Sequence, residues 1–209
     1  MIVKICGIKN TETLLCCERN NVNFFGMIFY EKSPRNLSIE KAKELQEISK
    51  NLKINSVGVF VDENINKLNQ YIKELQLNFV QLHGNENNDY IKNIKNLKIK
   101  IIKKISINNK NDLSKIQNYN DADFFLFDYS PKKNELPGGN AKSFNWDIIK
   151  NLRINKPWFL SGGINLNNIE LIKTKILPFG IDLSSGVEKE LGIKDNHIIN
   201  NFMGKFNNA

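Results

Sequence analysis

Eight short apolar, β-rich runs recur along this chain, at residues 2–6, 23–29, 55–61, 78–82, 98–105, 122–127, 157–160 and 179–183. Stretches of helical length, rich in Lys, Glu and Asn, separate them. Strict alternation of strand and helix implies a parallel sheet, because each crossover helix returns the chain to the same end of the sheet. About eight such units in so short a chain fit an α/β architecture of the compact (β/α)8 TIM barrel type better than an open sheet. Within the rhythm, Ile65, Leu68, Ile72 and Leu75 form a helical stripe. Ser38 and Asp62 stand where helix caps are expected. No linker or low-complexity segment breaks the pattern, so residues 1–209 read as a single barrel domain.

Composition excludes several classes. Hydrophobic residues make up 41% of the chain, enough for a real core. No run approaches the eighteen or so apolar residues of a membrane span. The N-terminus lacks a signal-peptide pattern, since charge and glycine interrupt it within ten residues. Three cysteines, of which Cys16 and Cys17 sit together on a predicted helix as structural residues, make no disulfide framework and suit a reducing cytoplasm. The net charge of +8 comes from lysines spread beside Asn and Ile, residues of A/T-rich codons. A nucleic-acid surface would cluster its lysines and interleave aromatics. The charge is still able to attract an anionic phosphate substrate. No helix shows an extra apolar face, which leaves a monomer as the default.

In a barrel of this type, chemistry sits at the C-terminal ends of the strands. The first run ends in Cys6, followed by Gly7, with Lys4 on the same strand face. Arg35 follows the second run in Ser33-Pro34-Arg35, Gln81 and His83 share a face at the end of the fourth, and Asp128 closes the sixth. Each has a plain structural alternative. Cys6 reads equally as a small buried hydrophobe, Asp128 as a loop cap, Arg35 as a solvated charge, and His83 as a rim residue that orients a loop. Phe124, Phe125 and Phe127 read as core. The longest irregular stretch, residues 130–143, has the length of a functional or mobile loop.

The loops after the seventh and eighth runs are informative as a pair. Gly162-Gly163 and Ser184-Ser185-Gly186 offer converging backbone N–H groups with little side chain in the way. Their place in the order is the common phosphate position of this barrel. A phosphorylated small molecule is therefore the expected ligand.

Taken in order, KICGI, SPR, QLHG, FDYS, PGGNAKSFNW, LSGGI and GIDLSSGVE resemble the phosphoribosylanthranilate isomerase family of tryptophan biosynthesis over essentially the whole chain. The resemblance implies an Amadori rearrangement of N-(5-phosphoribosyl)anthranilate to the carboxyphenylamino deoxyribulose phosphate, with no cofactor or metal. It assigns Cys6 as general base and Asp128 as general acid. It further assigns Arg35 to the anthranilate carboxylate through two parallel hydrogen bonds, Gly162, Gly163, Ser184 and Ser185 to the phosphate, and Asp182 to the sugar hydroxyls. Lys4, Gln81 and His83 stand behind the site as supporting side chains. The apolar strand leading to Asp128 suits a protonated acid, and Lys4 is placed either to favour a Cys6 thiolate or to pair with a barrel carboxylate.

The chain departs from the family pattern at Asn140-Ala141, where Thr-Gly is usual, and at Leu191-Gly192, where Pro-Gly is usual. Neither change removes a proposed acid or base. Its length leaves room for the isomerase but not for a fused indole-glycerol-phosphate synthase domain. Two rival readings make different demands. A histidine-pathway isomerase calls for an aspartate where Cys6 stands. A non-catalytic phosphate or nucleic-acid binder calls for steep salt dependence and indifference to Cys6.

Overall fold

Each of the eight apolar runs forms a strand: β1 (Ile2–Cys6), β2 (Phe24–Phe29), β3 (Asn55–Phe60), β4 (Phe79–Leu82), β5 (Lys100–Ile107), β6 (Phe124–Tyr129), β7 (Trp158–Leu160) and β8 (Gly180–Leu183). They close in sequence order into a parallel barrel, with β8 hydrogen-bonded back to β1. The structure, a computed structural model, describes residues 1–150 and 152–208; residues 151 and 209 of the expected 1–209 unit lie outside the described residues.

The crossovers are less regular than the rhythm suggests. The first four strands are followed by α1 (Thr11–Arg19), α2 (Ile39–Ser49), α3 (Ile65–Leu75) and α4 (Asn88–Lys95). After β5 the segment Lys110–Asn118 is 3-10, and after β6 a turn at Trp146–Ile148 stands in for a helix. A short α5 (Ile169–Leu171) runs into a π-turn at Ile172–Ile176. Asparagine and aspartate explain part of this, because their side chains compete for backbone groups that an α-helix would use. Asn109 and Asp112 form a reciprocal capping box at the start of the 3-10 segment. After β8 come a 3-10 turn (Ser185–Val187), a hairpin of β9 (Glu188–Glu190) and β10 (Ile193–Lys194), and α6 (Asn196–Asn208), whose first amides are held by Asp195.

Ser38 caps α2 as expected, accepting from Lys41 N at 3.3 Å. Asp62 does not cap α3. Asn64 takes that role, its side chain accepting from Asn66 N, while Asp62 sits at positive φ and accepts from Asn85 N at 2.6 Å. Asp62 is thereby spent on tying the loop after β3 to the loop after β4.

The alternation of each strand divides the core in two. Val3, Ile5, Phe25, Phe125 and Phe127 pack outward on the helices, where buried Cys16 and Cys17 also lie as free thiols. Cys6, Phe24, Val57, Ile102, Leu126 and Phe159 pack inside the barrel. At its N-terminal end, Phe24, Phe79, Phe124 and Phe159 close a ring with centroids 5.0–6.3 Å apart, and Phe179 sits against two of them at 6.0 Å. No helix among the described residues is long and apolar enough to cross a membrane.

Candidate active site

The opposite, C-terminal end of the barrel holds a cavity of about 530 Å³. Cys6, Arg35, Gln81, His83, Asp128 and Asp182 all line it, so the structure brings together the acid, the base and the carboxylate anchor predicted from sequence. Lys4 lies deeper, wholly buried beneath Cys6.

The Cys6 side begins at the seam where the barrel strands β1 and β8 meet. Lys4 and Asp182 are register partners across β1 and β8, and Lys4 Nζ donates to Asp182 Oδ2 at 2.9 Å. Lys4 thus pairs with the Asp182 carboxylate while also pulling on Cys6. Asp182 is thereby drawn into an ion pair, though its Oδ1 is buried without a partner among the described residues. Burial penalises the charge on both: Lys4 is nevertheless held above its ordinary value by Asp182 and Cys6, whereas the Asp182 carboxyl is pushed up despite Lys4. Burial also pushes the Cys6 thiol up, outweighing the pull of Lys4 and Lys194. Lys4 does ease Cys6 toward a thiolate, but burial outweighs it. Desolvation of a nearly enclosed sulfur costs more than one cation, itself shared with Asp182, returns. Cys6 has space because its register partner is Gly26; a Cβ there would lie 2.7 Å from the sulfur.

On the other side a short chain of polar contacts runs from Asp128. Asp128 is 5% exposed; its Oδ1 accepts from Tyr129 N at 2.8 Å, and Oδ2 lies 3.5 Å from His83 Nε2. His83 Nδ1 lies 2.9 Å from Gln81 Nε2, and Nε2 is 3.1 Å from the Pro137 carbonyl. If the Gln81 amide donates to Nδ1, the ring carries its proton on Nε2, aimed at Pro137 and Asp128. Burial lowers the His83 pKa despite the pull of Asp128, keeping the ring neutral near pH 7. Gly162, at φ +87, lies close against Asp128: a Cβ there would stand 2.9 Å from Oδ1.

Arg35 is 2% exposed rather than a solvated charge. Its Nε and Nη2 already make a two-bond grip, at 2.7 and 2.8 Å, on Glu188 of β9. The parallel pair expected for a ligand is thus occupied by the protein, and the end of the guanidinium bearing Nη1 is left over. Nη2 also donates to the Gly139 carbonyl at 3.3 Å. Burial pushes Glu188 up, but Arg35 and Lys194 overcome it and hold the carboxyl down at about 2.

Gly162, Gly163, Ser184 and Ser185 line an adjoining cavity of about 380 Å³, which Ser184 shares with the first. The N–H groups of Gly162 and Gly163 have no acceptor among the described residues. The loop over residues 130–143 has no regular structure, and its Pro137, Gly138 and Gly139 form one wall of the larger cavity.

Around these cavities sequence reasoning missed the buried charges of Glu188, Lys194 and Lys104. Lys104 lies on the inward alternation of β5 and donates to the Pro137 carbonyl at 3.1 Å; burial lowers its pKa. A lysine at alternate spacing from inward Ile102 is a signal that could have found it. Among the described residues no group of three or more His, Cys, Asp or Glu is placed to hold a metal ion.

Residues 3–205 match the family model described as N-(5'phosphoribosyl)anthranilate (PRA) isomerase. The N-(5'-phosphoribosyl)anthranilate isomerase of Rhizobium etli is 38% identical over 96% of this chain and 91% of its own length. That of Clostridium acetobutylicum is 36% identical over 96% and 95%. The crystal structure of phosphoribosyl anthranilate isomerase from Thermotoga maritima superposes with a TM-score of 0.89 at 33% identity, covering all of both chains. A structure of such an isomerase in complex with reduced 1-(o-carboxyphenylamino)-1-deoxyribulose 5-phosphate has a TM-score of 0.82 at 33% identity, again over all of both chains. The ordered motifs, the closed barrel and these whole-length matches agree: the chain belongs to the N-(5'-phosphoribosyl)anthranilate isomerase family.

Proposed function

We propose that the protein converts N-(5'-phosphoribosyl)anthranilate to 1-(2-carboxyphenylamino)-1-deoxyribulose 5-phosphate in tryptophan biosynthesis by an Amadori rearrangement. Residues 1–209 act as one catalytic unit. One observation carries the reading: Cys6 and Asp128 open on the same cavity from different strands, with a buried guanidinium on its wall and unpaired glycine N–H groups in the cavity beside it.

Asp128 gives a proton to the furanose oxygen, the C1–O bond breaks, and the anilino nitrogen becomes a protonated Schiff base. That cation acidifies the C2 proton, which the Cys6 thiolate removes to leave an enolamine. The enol then ketonises as C1 takes up a proton and the C2 hydroxyl loses one, and no atom is gained or lost overall. Neither proton transfer calls for a metal or cofactor. Because burial keeps the Cys6 thiol protonated in the free protein, the base must shed its proton before it works. The phosphate sits on the loops of Gly162, Gly163, Ser184 and Ser185, where free N–H groups and the local positive charge suit a dianion. Arg35 receives the ring carboxylate on its unoccupied edge, and Asp182 Oδ1 accepts from a sugar hydroxyl. Gln81 sets the tautomer of His83, which in turn orients Asp128. All of these groups come from one chain, so a monomer suffices, and three free thiols suit a cytoplasmic location.

The test is to generate the substrate in situ and follow loss of its fluorescence with wild type beside Cys6→Ala. Rapid loss with wild type alone supports both reaction and base. No loss with well-folded wild-type protein would leave only a phosphate-binding barrel.

A further inference from the structure

Behind the two anion-binding ends of the cavity lies one carboxylate that touches the machinery of both. Glu188 Oε1 accepts from Arg35 Nε at 2.7 Å and from Lys194 Nζ at 2.6 Å. Its Oε2 accepts from Arg35 Nη2 at 2.8 Å and from Gly192 N at 3.1 Å. Lys194 continues to the other end: its Nζ donates to the Ser184 carbonyl at 3.1 Å and lies 3.2 Å from Ser184 Oγ. Ser184 Oγ in turn donates to the carbonyl of Cys6 at 3.1 Å. All three charged side chains are at most 4% exposed.

The charge count is uneven. Two cations share one anion, so the buried cluster carries an excess positive charge. Arg35 presents that excess to the larger cavity, while Ser184 borders both cavities. A guanidinium fixed along one edge by two parallel bonds has little rotational freedom, so its other edge is pre-aimed. Holding a group in place before the ligand arrives removes an ordering cost from binding.

We propose that Glu188 is a positioning residue for this reaction: through Arg35 it aims the guanidinium at the substrate's ring carboxylate, and through Lys194 it holds Ser184 under the phosphate. One carboxylate thereby sets the spacing between the substrate's two anionic ends. This rests on the reading of Arg35 and the glycine and serine loops given above. A merely structural Glu188 would anchor the β9–β10 hairpin and nothing else.

The two roles separate by ligand. The probes are inorganic phosphate and the reduced product analogue, prepared with and without its ring carboxylate. Glu188→Gln keeps the side-chain shape but gives the cations no charge. It is expected to raise KM about tenfold or more with kcat changed far less, the pattern of lost binding common to ground and transition states. It is also expected to weaken phosphate and to erase most of the preference for the carboxylated analogue. Lys194→Met leaves the Arg35–Glu188 pair in place and should weaken phosphate while retaining the carboxylate preference. It carries the test if Glu188→Gln does not fold. A Glu188→Gln protein that melts earlier yet keeps wild-type phosphate affinity and carboxylate preference overturns the proposal, as does unchanged phosphate affinity in Lys194→Met. Arg35→Ala serves as the control. If it keeps the carboxylate preference, the assignment of Arg35 falls, and that failure is distinguishable from a failure of Glu188.

Discussion

The two ends of the barrel are built by the same strands on the same alternation, yet they hold opposite kinds of matter. Along β4 the inward residues run from Phe79 to Gln81 and on to His83, and along β6 from Phe124 through Leu126 to Asp128. Four residues, two alternation steps of about 6–7 Å each, carry the interior from a ring of phenylalanines to a ring of ionisable groups. At the aromatic end, apolar area removed from water supplies stability and needs no partners. At the ionic end charges are paired, though not one for one: Lys4 with Asp182, Arg35 and Lys194 together with Glu188. Such pairs roughly repay their own desolvation at best. The barrel therefore draws its stability from one end and spends its positional freedom on chemistry at the other.

The comparison is broken most severely at the ionic end. Cys6→Ala and Asp128→Asn are each expected to lower kcat by about 10²–10⁴, the usual worth of an acid or base, while the melting temperature moves little. Near-normal turnover by either variant would strip that residue of its proposed role. The reciprocal change is Phe159→Ala, which empties part of the aromatic ring at a residue 1% exposed. Denaturant unfolding should show a loss of about 3–5 kcal/mol, with kcat of the folded fraction unchanged. A comparable fall in kcat would mean that the two ends are mechanically coupled.

A gentler test uses pH. Because burial raises the Cys6 thiol, the thiolate fraction in the free protein grows with pH above neutrality. Accordingly the rate at which iodoacetamide alkylates Cys6 should climb by about tenfold per unit over the range below the thiol's titration, because the thiolate is the reacting form. An alkylation rate already level at pH 7 would mean that burial does not hold the sulfur protonated. The smallest effect expected is on acid stability. Glu188 titrates at about 2 in the folded protein, against about 4.3 when unfolded. Its contribution is full above the unfolded value and is lost as pH falls through the folded one. The loss of stability between those limits should therefore shrink in Glu188→Gln; an unaltered acid profile would assign it to other carboxylates.

What the sequence disclosed about these ends follows from how local each signal is. Strands announced themselves by β-branched runs and by the glycines that stop them, so Cys6 and Asp128 could be placed at strand ends before any contact was known. Gly162-Gly163 and Ser184-Ser185 were legible because backbone N–H groups need no long-range partner to be offered. Glu188 and Lys194 were hidden because each lies on a strand of two or three residues among other charges, a pattern that reads as solvated surface. Their burial arises when the hairpin folds down on Arg35, 153 residues away from Glu188 in sequence. Asp62 misled for a similar reason: it has the chemistry of a cap, and its actual partner, Asn85, comes from the next loop. The direction of the Cys6 shift was likewise out of reach, since it depends on how completely the barrel encloses the sulfur.

The seam between β1 and β8 has a consequence for the life history of the molecule. Lys4 meets Asp182, and Cys6 meets Ser184, across 178 residues of chain. Contacts of such span are slow to form, and during synthesis the N-terminal partner waits for almost the entire polypeptide to emerge. A nascent chain that has made seven strands carries Cys6, Arg35, Asp128 and the Gly162-Gly163 loop but lacks Ser184 and Ser185, the other half of the proposed phosphate seat. Appearance of turnover therefore waits on the closing of the ring, and a reaction assay run during refolding or translation would report a late structural event rather than an average of all of them.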